Sequence, residues 1–142
     1  MPFVLDASIA ACWAFDDEDH PAAALALERI RTDEARVPSL WWFEVRNTLI
    51  VNERRGRLTE GDTAAFLRGL ARLGVTVDRS PVEADVLALA RRHRLTVYDA
   101  AYLELARRDR VPLATLDSDL ATATQAEKMP LIGERAAGGS QG

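Results

Sequence analysis

Phe3-Val4-Leu5-Asp6-Ala7-Ser8-Ile9-Ala10-Ala11-Cys12-Trp13-Ala14-Phe15 is the stretch that decides the fold. A short apolar run meets an acid, and from Ser8 to Phe15 the apolar residues have helical rather than alternating character. A strand therefore hands over to a helix at Asp6. The same grammar recurs downstream. Pro21 sits just inside a second helix, Ala22 to Arg31, where Leu25, Leu27 and Ile30 lie among alanines. Arg36-Val37-Pro38 allows a short strand, and Leu40 to Arg55 then runs without Gly or Pro until Gly56 supplies a stop. Thr59 with Asp62 imitates a capping box ahead of Phe66, Leu67, Leu70 and Leu73, which repeat at helical spacing up to Gly74. Val75-Thr76-Val77 is β-branched and brief, and Pro81 opens a helix over Val82 to Arg94, striped by Val86, Leu87, Leu89 and Ala90. Leu95-Thr96-Val97-Tyr98 reads as another strand, ending at Asp99 before a helix over Ala100 to Arg108. Pro112 to Leu116 reaches Asp117 before a last helix from Ser118, and Pro130-Leu131-Ile132 adds an edge strand.

Strands alternating with helices predict an α/β fold with a mostly parallel sheet covered on both faces. In such sheets the functional crevice lies beyond the carboxyl ends of the strands. The 142 residues suit one domain, and 48% apolar with 28% charged residues excludes disordered and fibrous classes. No apolar run approaches the ~20 residues needed to cross a bilayer, and the start of the chain meets an acid too early for a signal peptide, so a cytoplasmic address is expected. The single cysteine, Cys12, reads as a small core residue. A net charge of −4 is unusual for a nucleic-acid enzyme, but carboxylates gathered for a divalent metal depress net charge without describing the rim that meets substrate.

Asp6 and Asp117 each follow a strand-like run and precede a helix, and Asp99 stands where the Leu95 to Tyr98 run hands over to helix. Helix capping accounts for aspartates in such places. It does not account for Glu44, which lies inside the helix Leu40 to Arg55 and otherwise needs a salt bridge, with Arg46 or Arg55, or simple exposure. One metal site accounts for all four, because carboxylates gathered without a cation repel and some must take up protons. Oxygen-only donors suit Mg²⁺ or Mn²⁺, and His20, His93 and Cys12 show no ligand spacing, so no transition-metal cage is expected.

Val4-Leu5-Asp6-Ala7-Ser8, Glu44 with Asn47, Tyr98-Asp99-Ala100-Ala101-Tyr102 and Leu113-Ala114-Thr115-Leu116-Asp117-Ser118-Asp119-Leu120, in that order, resemble the PIN-domain pattern, and in spacing the VapC toxins. The resemblance covers nearly the whole chain, to about Ile132. It implies a PIN-like three-layer α/β/α sandwich over residues 1–133; the tail over 134–142, ending in Ala-Ala-Gly-Gly-Ser-Gln-Gly, has nothing to bury and is expected to be flexible. It further implies that Asp6, Glu44, Asp99 and Asp117 are catalytic, metal-binding acids, that Ser8 and Thr115 support the site, and that Asn47 lies beside Glu44. Asp119 is an alternative to Asp117, with Asp117 preferred as nearer the strand end. The implied activity is Mg²⁺-dependent hydrolysis of RNA, structured RNA such as tRNA included, by a homodimeric toxin restrained by a VapB-like antitoxin.

Arginines cluster at 54, 55 and 57, at 91, 92 and 94, and at 107, 108 and 110, where they can grip phosphates or complement helix dipoles. Asp16-Asp17-Glu18-Asp19 reads as a solvated surface. Trp13, Phe15, Trp41, Trp42 and Phe43 divide between core packing and a surface for antitoxin or dimer contacts. Two other classes compete. A phospho-acceptor receiver module, like a haloacid-dehalogenase-type phosphatase, wants a second acid just after the first strand, where this chain has Ala7 and Ser8. A catalytically silent binding domain of the same fold is expected to show a broken acid, and none is broken.

Overall fold

A computed structural model describes residues 1–133. Its chain order is β1 (Phe3–Leu5), α1 (Ala7–Cys12), α2 (Pro21–Arg29), β2 (Ala35–Pro38), α3 (Leu40–Arg54), α4 (Glu60–Leu70), β3 (Val75–Asp78), α5 (Glu83–His93), α6 (Val97–Asp109), β4 (Leu113–Ala114) and α7 (Ser118–Ala126). The strands form one sheet in the order β3-β2-β1-β4, parallel throughout. Phe3 registers with Ala35, and Val4 with both Arg36 and Leu113. Successive strand residues point to opposite faces, and Phe3, Val4 and Leu5 are all fully buried, so β1 is covered on both sides. Ile9, Leu49, Leu89, Tyr102, Leu103, Leu105, Leu113 and Leu120 extend that core.

The predicted α/β class holds, and so do most of its elements. The capping box forms in both directions: the Thr59 hydroxyl accepts from the Asp62 amide and the Asp62 carboxylate accepts from the Thr59 amide, each at 3.0 Å. Gly56, with φ of 76°, takes the left-handed turn that follows α3.

One predicted strand does not exist. Leu95-Thr96-Val97-Tyr98 is the junction of two helices. Arg94 ends α5 in the left-handed region (φ 55°), and the Leu95 amide turns back to the Ala90 carbonyl at 3.0 Å. Thr96 is already the N-cap of α6, its hydroxyl accepting from the Asp99 amide at 3.0 Å. Asp99 therefore sits in the first turn of a helix and not at a strand end. The expected edge strand over Pro130-Leu131-Ile132 shrinks to a single parallel bridge between Leu131 and Leu113, flanked by Leu113 N to Pro130 O and Ile132 N to Leu113 O, both 3.0 Å. The tail read as 134–142 lies outside the described residues.

Polar bonds fix α6 against the edge of the sheet. Arg108 holds the buried Glu104 one turn back (2.7 Å) and grips both carboxylate oxygens of Asp78 on β3 (3.0 and 2.8 Å). Arg36 on β2 reaches Asp109 at 2.9 Å. These anchors set the position from which the first turn of α6 presents Asp99.

Candidate active site

Asp6 ends β1 at the N-cap position of α1, yet its side chain makes no cap bond. Its Oδ2 instead accepts from the Ser8 hydroxyl at 2.8 Å and the Thr115 hydroxyl at 2.6 Å. The Asp6 amide donates to the Ala114 carbonyl at 3.0 Å, which locks the ends of β1 and β4 together. Ser8 Oγ accepts from the Leu116 amide, and Thr115 Oγ1 from the Asp117 amide, both at 3.0 Å. Each hydroxyl spends its hydrogen on Asp6 and its lone pair on the backbone, so the Asp6 carboxylate is oriented by a closed network.

Asp117 is the N-cap of α7, where its Oδ1 accepts from the Leu120 amide at 2.9 Å. Glu44, half-buried on α3, receives the Tyr102 hydroxyl on Oε1 at 2.6 Å. Among the described residues no protein donor reaches Asp117 Oδ2 or Glu44 Oε2, while the Ala7 amide adds a third donor to the Asp6 carboxylate. Glu44 and Asp117 thus each have one oxygen fixed by the protein and one left over, and Asp6 has Oδ2 fixed by two hydroxyls. Asp119 lies exposed in the first turn of α7, and Asn47 is exposed on α3 one turn beyond Glu44.

The acids act on one another electrostatically. Burial pushes the Asp6 carboxyl up, its two hydroxyl donors pull it down, and the charge of Asp117 adds to the rise. Glu44 is also raised, by burial first and then by Asp6 and Asp99, against the pull of Tyr102. Asp99 is pushed up to about 6 by burial and by the charges of Asp117, Asp6 and Asp119. Like charges in surroundings of reduced dielectric favour a proton or a cation. The donors are all oxygen, which fits a hard divalent ion such as Mg²⁺ in kind. In spacing they stand further apart than a finished cage. Among the described residues the trio whose ligand atoms come within 4.8 Å of one another is Cys12, Glu18 and His20, not any three of these acids.

Capping therefore explains less than the sequence allows: Asp117 caps, Asp6 does not, and Asp99 is not a cap because Thr96 is. Tyr102 is the participant that sequence reasoning passed over. Its signal was its place three residues after Asp99, which puts both on neighbouring positions of one helix face. Burial, then the charge of Asp6 and the bond to Glu44, drive its phenol far above the ordinary range, so it is a permanent donor.

Several arginines singled out as phosphate grips are engaged elsewhere. Arg57 pairs with Asp17 and Glu18 (3.1 and 3.2 Å), Arg92 and Arg107 with Glu127 (2.8 and 3.5 Å), and Arg108 with Glu104 and Asp78. The aromatics divide: Phe15 and Trp41 are buried, while Trp42 and Phe43 are exposed on α3, edge to face at 4.9 Å, with Arg46 stacked over Trp42 at 4.0 Å.

Fold and site together define an α/β protein in which two strand ends, bearing Asp6 and Asp117, and two helices, bearing Glu44 and Asp99, present carboxylates whose charges act on one another. The chain belongs to the PIN-domain family, whose profile matches residues 3–125. Ribonuclease VapC3 of Pyrobaculum aerophilum is 34% identical over 135 residues, covering 93% of this chain and 98% of that protein. Among solved structures, PAE2754 of P. aerophilum superimposes with a TM-score of 0.68 at 23% identity, covering 87% of this chain and 84% of that one. VapC20 of Mycobacterium tuberculosis, described as a toxin that cleaves the sarcin-ricin loop, gives 0.60 at 15% identity, covering 85% and 94%. The two superpositions establish the shared fold. No helix among the described residues is long and apolar enough to cross a membrane.

Proposed function

We propose that this chain is a metal-dependent endoribonuclease and the toxin of a type II toxin-antitoxin pair, with Asp6, Glu44, Asp99 and Asp117 holding Mg²⁺, for which Mn²⁺ can substitute. The observation that carries this reading is the division of labour on the carboxylates: Glu44 and Asp117 each have one oxygen held by a protein donor and one without, and Asp6 is oriented through Oδ2 by Ser8 and Thr115. The similarity to Ribonuclease VapC3 along almost the whole of both chains supports the reaction class.

When bound, such an ion acidifies a coordinated water and offsets charge building on the attacked phosphodiester. The residues of the chain do the positioning. Ser8 and Thr115 hold Asp6 in one rotamer, Tyr102 holds Glu44, and the Leu120 amide holds Asp117, so the ligands need little reorganisation. Water adds to phosphorus, the bond to the 3′ oxygen breaks, and the proton leaves with that oxygen, giving a 5′ phosphate and a 3′ hydroxyl. Asn47 stands beside Glu44 facing solvent, in reach of incoming RNA. Asp117 is favoured over Asp119 as the ligand because its charge acts on both Asp6 and Asp99, whereas that of Asp119 acts on Asp99 alone.

The substrate is structured RNA with an exposed loop, such as tRNA; the sarcin-ricin loop named for VapC20 is a target of that kind. The partner is a VapB-like antitoxin. The exposed Trp42, Phe43 and Ile50 on α3, next to Glu44, offer an apolar face for it or for the second copy of a homodimer. The site of action is the cytoplasm. Induced expression without antitoxin tests the reading: growth stops with the natural chain and continues with Asp6→Asn or Asp99→Asn. A soluble, folded variant of either kind that still stops growth contradicts the assignment of these acids.

A further inference from the structure

The connection between α1 and α2 builds a second cluster of ligating side chains. Cys12, Glu18 and His20 bring a sulfur, a carboxylate oxygen and an imidazole nitrogen within 4.8 Å of one another. Sequence spacing alone gave Cys12 and His20 no relation, because they meet only when the eight residues between α1 and α2 fold back over the end of α1. We infer that this trio is a binding site for a borderline-soft divalent cation, Zn²⁺ foremost, separate from the carboxylate set.

Donor chemistry separates the two sites. Thiolate and imidazole are what zinc takes and what Mg²⁺ declines. Distance separates them too: Asp6 precedes α1 and Cys12 ends it, so six residues of helix, about 9 Å of rise, lie between them. The trio is also held in place before any ion arrives. Cys12 is buried at 6% exposure on a helix packed in the core. Arg57 holds Glu18 through Oε2 at 3.2 Å, which leaves Oε1 turned to His20 Nε2 at 3.9 Å. Arg57 is itself braced by Asn52 Oδ1 at 3.1 Å and the Phe15 ring at 4.3 Å. His20 is the N-cap residue of α2, its backbone extended ahead of Pro21. Trp13 Nε1 donates to the Ala23 carbonyl at 2.8 Å, tying the two helices beside the cluster.

The three ligands share a cleft of about 190 Å³ with Asp19, and His20 is exposed at its mouth, so an ion can enter from solvent. Three protein ligands and a water complete a tetrahedral zinc shell. Binding releases the Cys12 thiol proton to solvent and joins α1, the connecting loop and α2 through one ion. Its charge also offsets the acidic run Asp16-Asp17-Glu18-Asp19.

Chelator-stripped full-length chain titrated with Co²⁺ tests this. The expected result is a thiolate-to-cobalt charge-transfer band that Zn²⁺ abolishes by displacement, present in Asp6→Asn and lost in Cys12→Ser. His20→Ala, at an exposed position, weakens Zn²⁺ binding by at least ~10- to 100-fold, the cost of losing even a partner that only orients a ligand. A chain that gives no band, a band that persists in Cys12→Ser, unchanged Zn²⁺ affinity in His20→Ala, or loss of the band in Asp6→Asn overturns the assignment.

Discussion

Asp99 is the residue at which the cost of the acidic site can be measured without any substrate. Its folded pKa of about 6 stands above its ordinary value of 3.8, because burial and the charges of Asp117, Asp6 and Asp119 disfavour the ionised form. A group raised on folding contributes stability that is complete below its unfolded pKa and lost as pH rises through its folded one. Metal-free protein is therefore expected to gain thermal stability as pH falls from 7 toward 5. Asp99→Asn should raise the melting temperature at pH 7 and flatten that gain; a variant less stable than the natural chain at pH 7 contradicts the electrostatic account. Tyr102 gives a second reading at this scale. Tyr102→Phe removes the 2.6 Å bond that holds Glu44 and frees the Ala7 amide from the phenol. Cleavage should fall ~10- to 100-fold, the usual cost of losing a partner that orients a ligand, and should recover in part at high Mg²⁺. Equal activity at every Mg²⁺ concentration rules out a positioning role.

Among the elements, α7 and α6 show how one carboxylate serves two purposes and how one local signature serves two structures. Asp117 caps α7 through Oδ1 while its charge reaches Asp6 and Asp99. Asn caps as well as Asp, so Asp117→Asn should abolish cleavage with little loss of stability, whereas Asp117→Ala should lose ~1 kcal/mol of stability besides. Comparing their denaturant midpoints separates the two roles, and equal midpoints would show that the cap contributes nothing. Most of the sheet was legible because Phe3 to Leu5, Val75 to Val77 and Leu113 to Ala114 are short apolar runs bounded by acids, Gly or Pro. Leu95 to Tyr98 has the same composition and became a helix junction, since Thr96 caps α6 and Arg94 turns left-handed to end α5. Both are local hydrogen-bond choices that apolar and β-branched composition does not report. Cys12 and His20 were illegible for a different reason: an irregular loop brings them together, and loops carry no periodicity. Ser8 and Thr115 entered only through the family resemblance, and nothing in the sequence reported that both hydroxyls bond one oxygen of Asp6.

At the scale of the molecule, a chain of net charge −4 binds RNA only if its charges are unevenly placed. Among the described residues, Arg36, Arg57, Arg92 and Arg108 are committed to ion pairs with carboxylates of the chain. Under the proposed function, phosphate contact falls to arginines outside those pairs, such as Arg54, Arg55, Arg91, Arg94 and Arg110, and to the ion proposed for the acids. RNA cleavage is then expected to depend on that ion for charge as well as for chemistry, and one experiment addresses this directly. Purified protein is incubated with total cellular RNA and Mg²⁺ or Mn²⁺, beside an EDTA control and the Asp6→Asn variant. Discrete cuts with 5′ phosphate ends are expected in the metal-loaded natural chain, and none with EDTA or the variant. Intact RNA after incubation with folded, metal-loaded, antitoxin-free protein, or cuts that survive EDTA, would contradict this expectation.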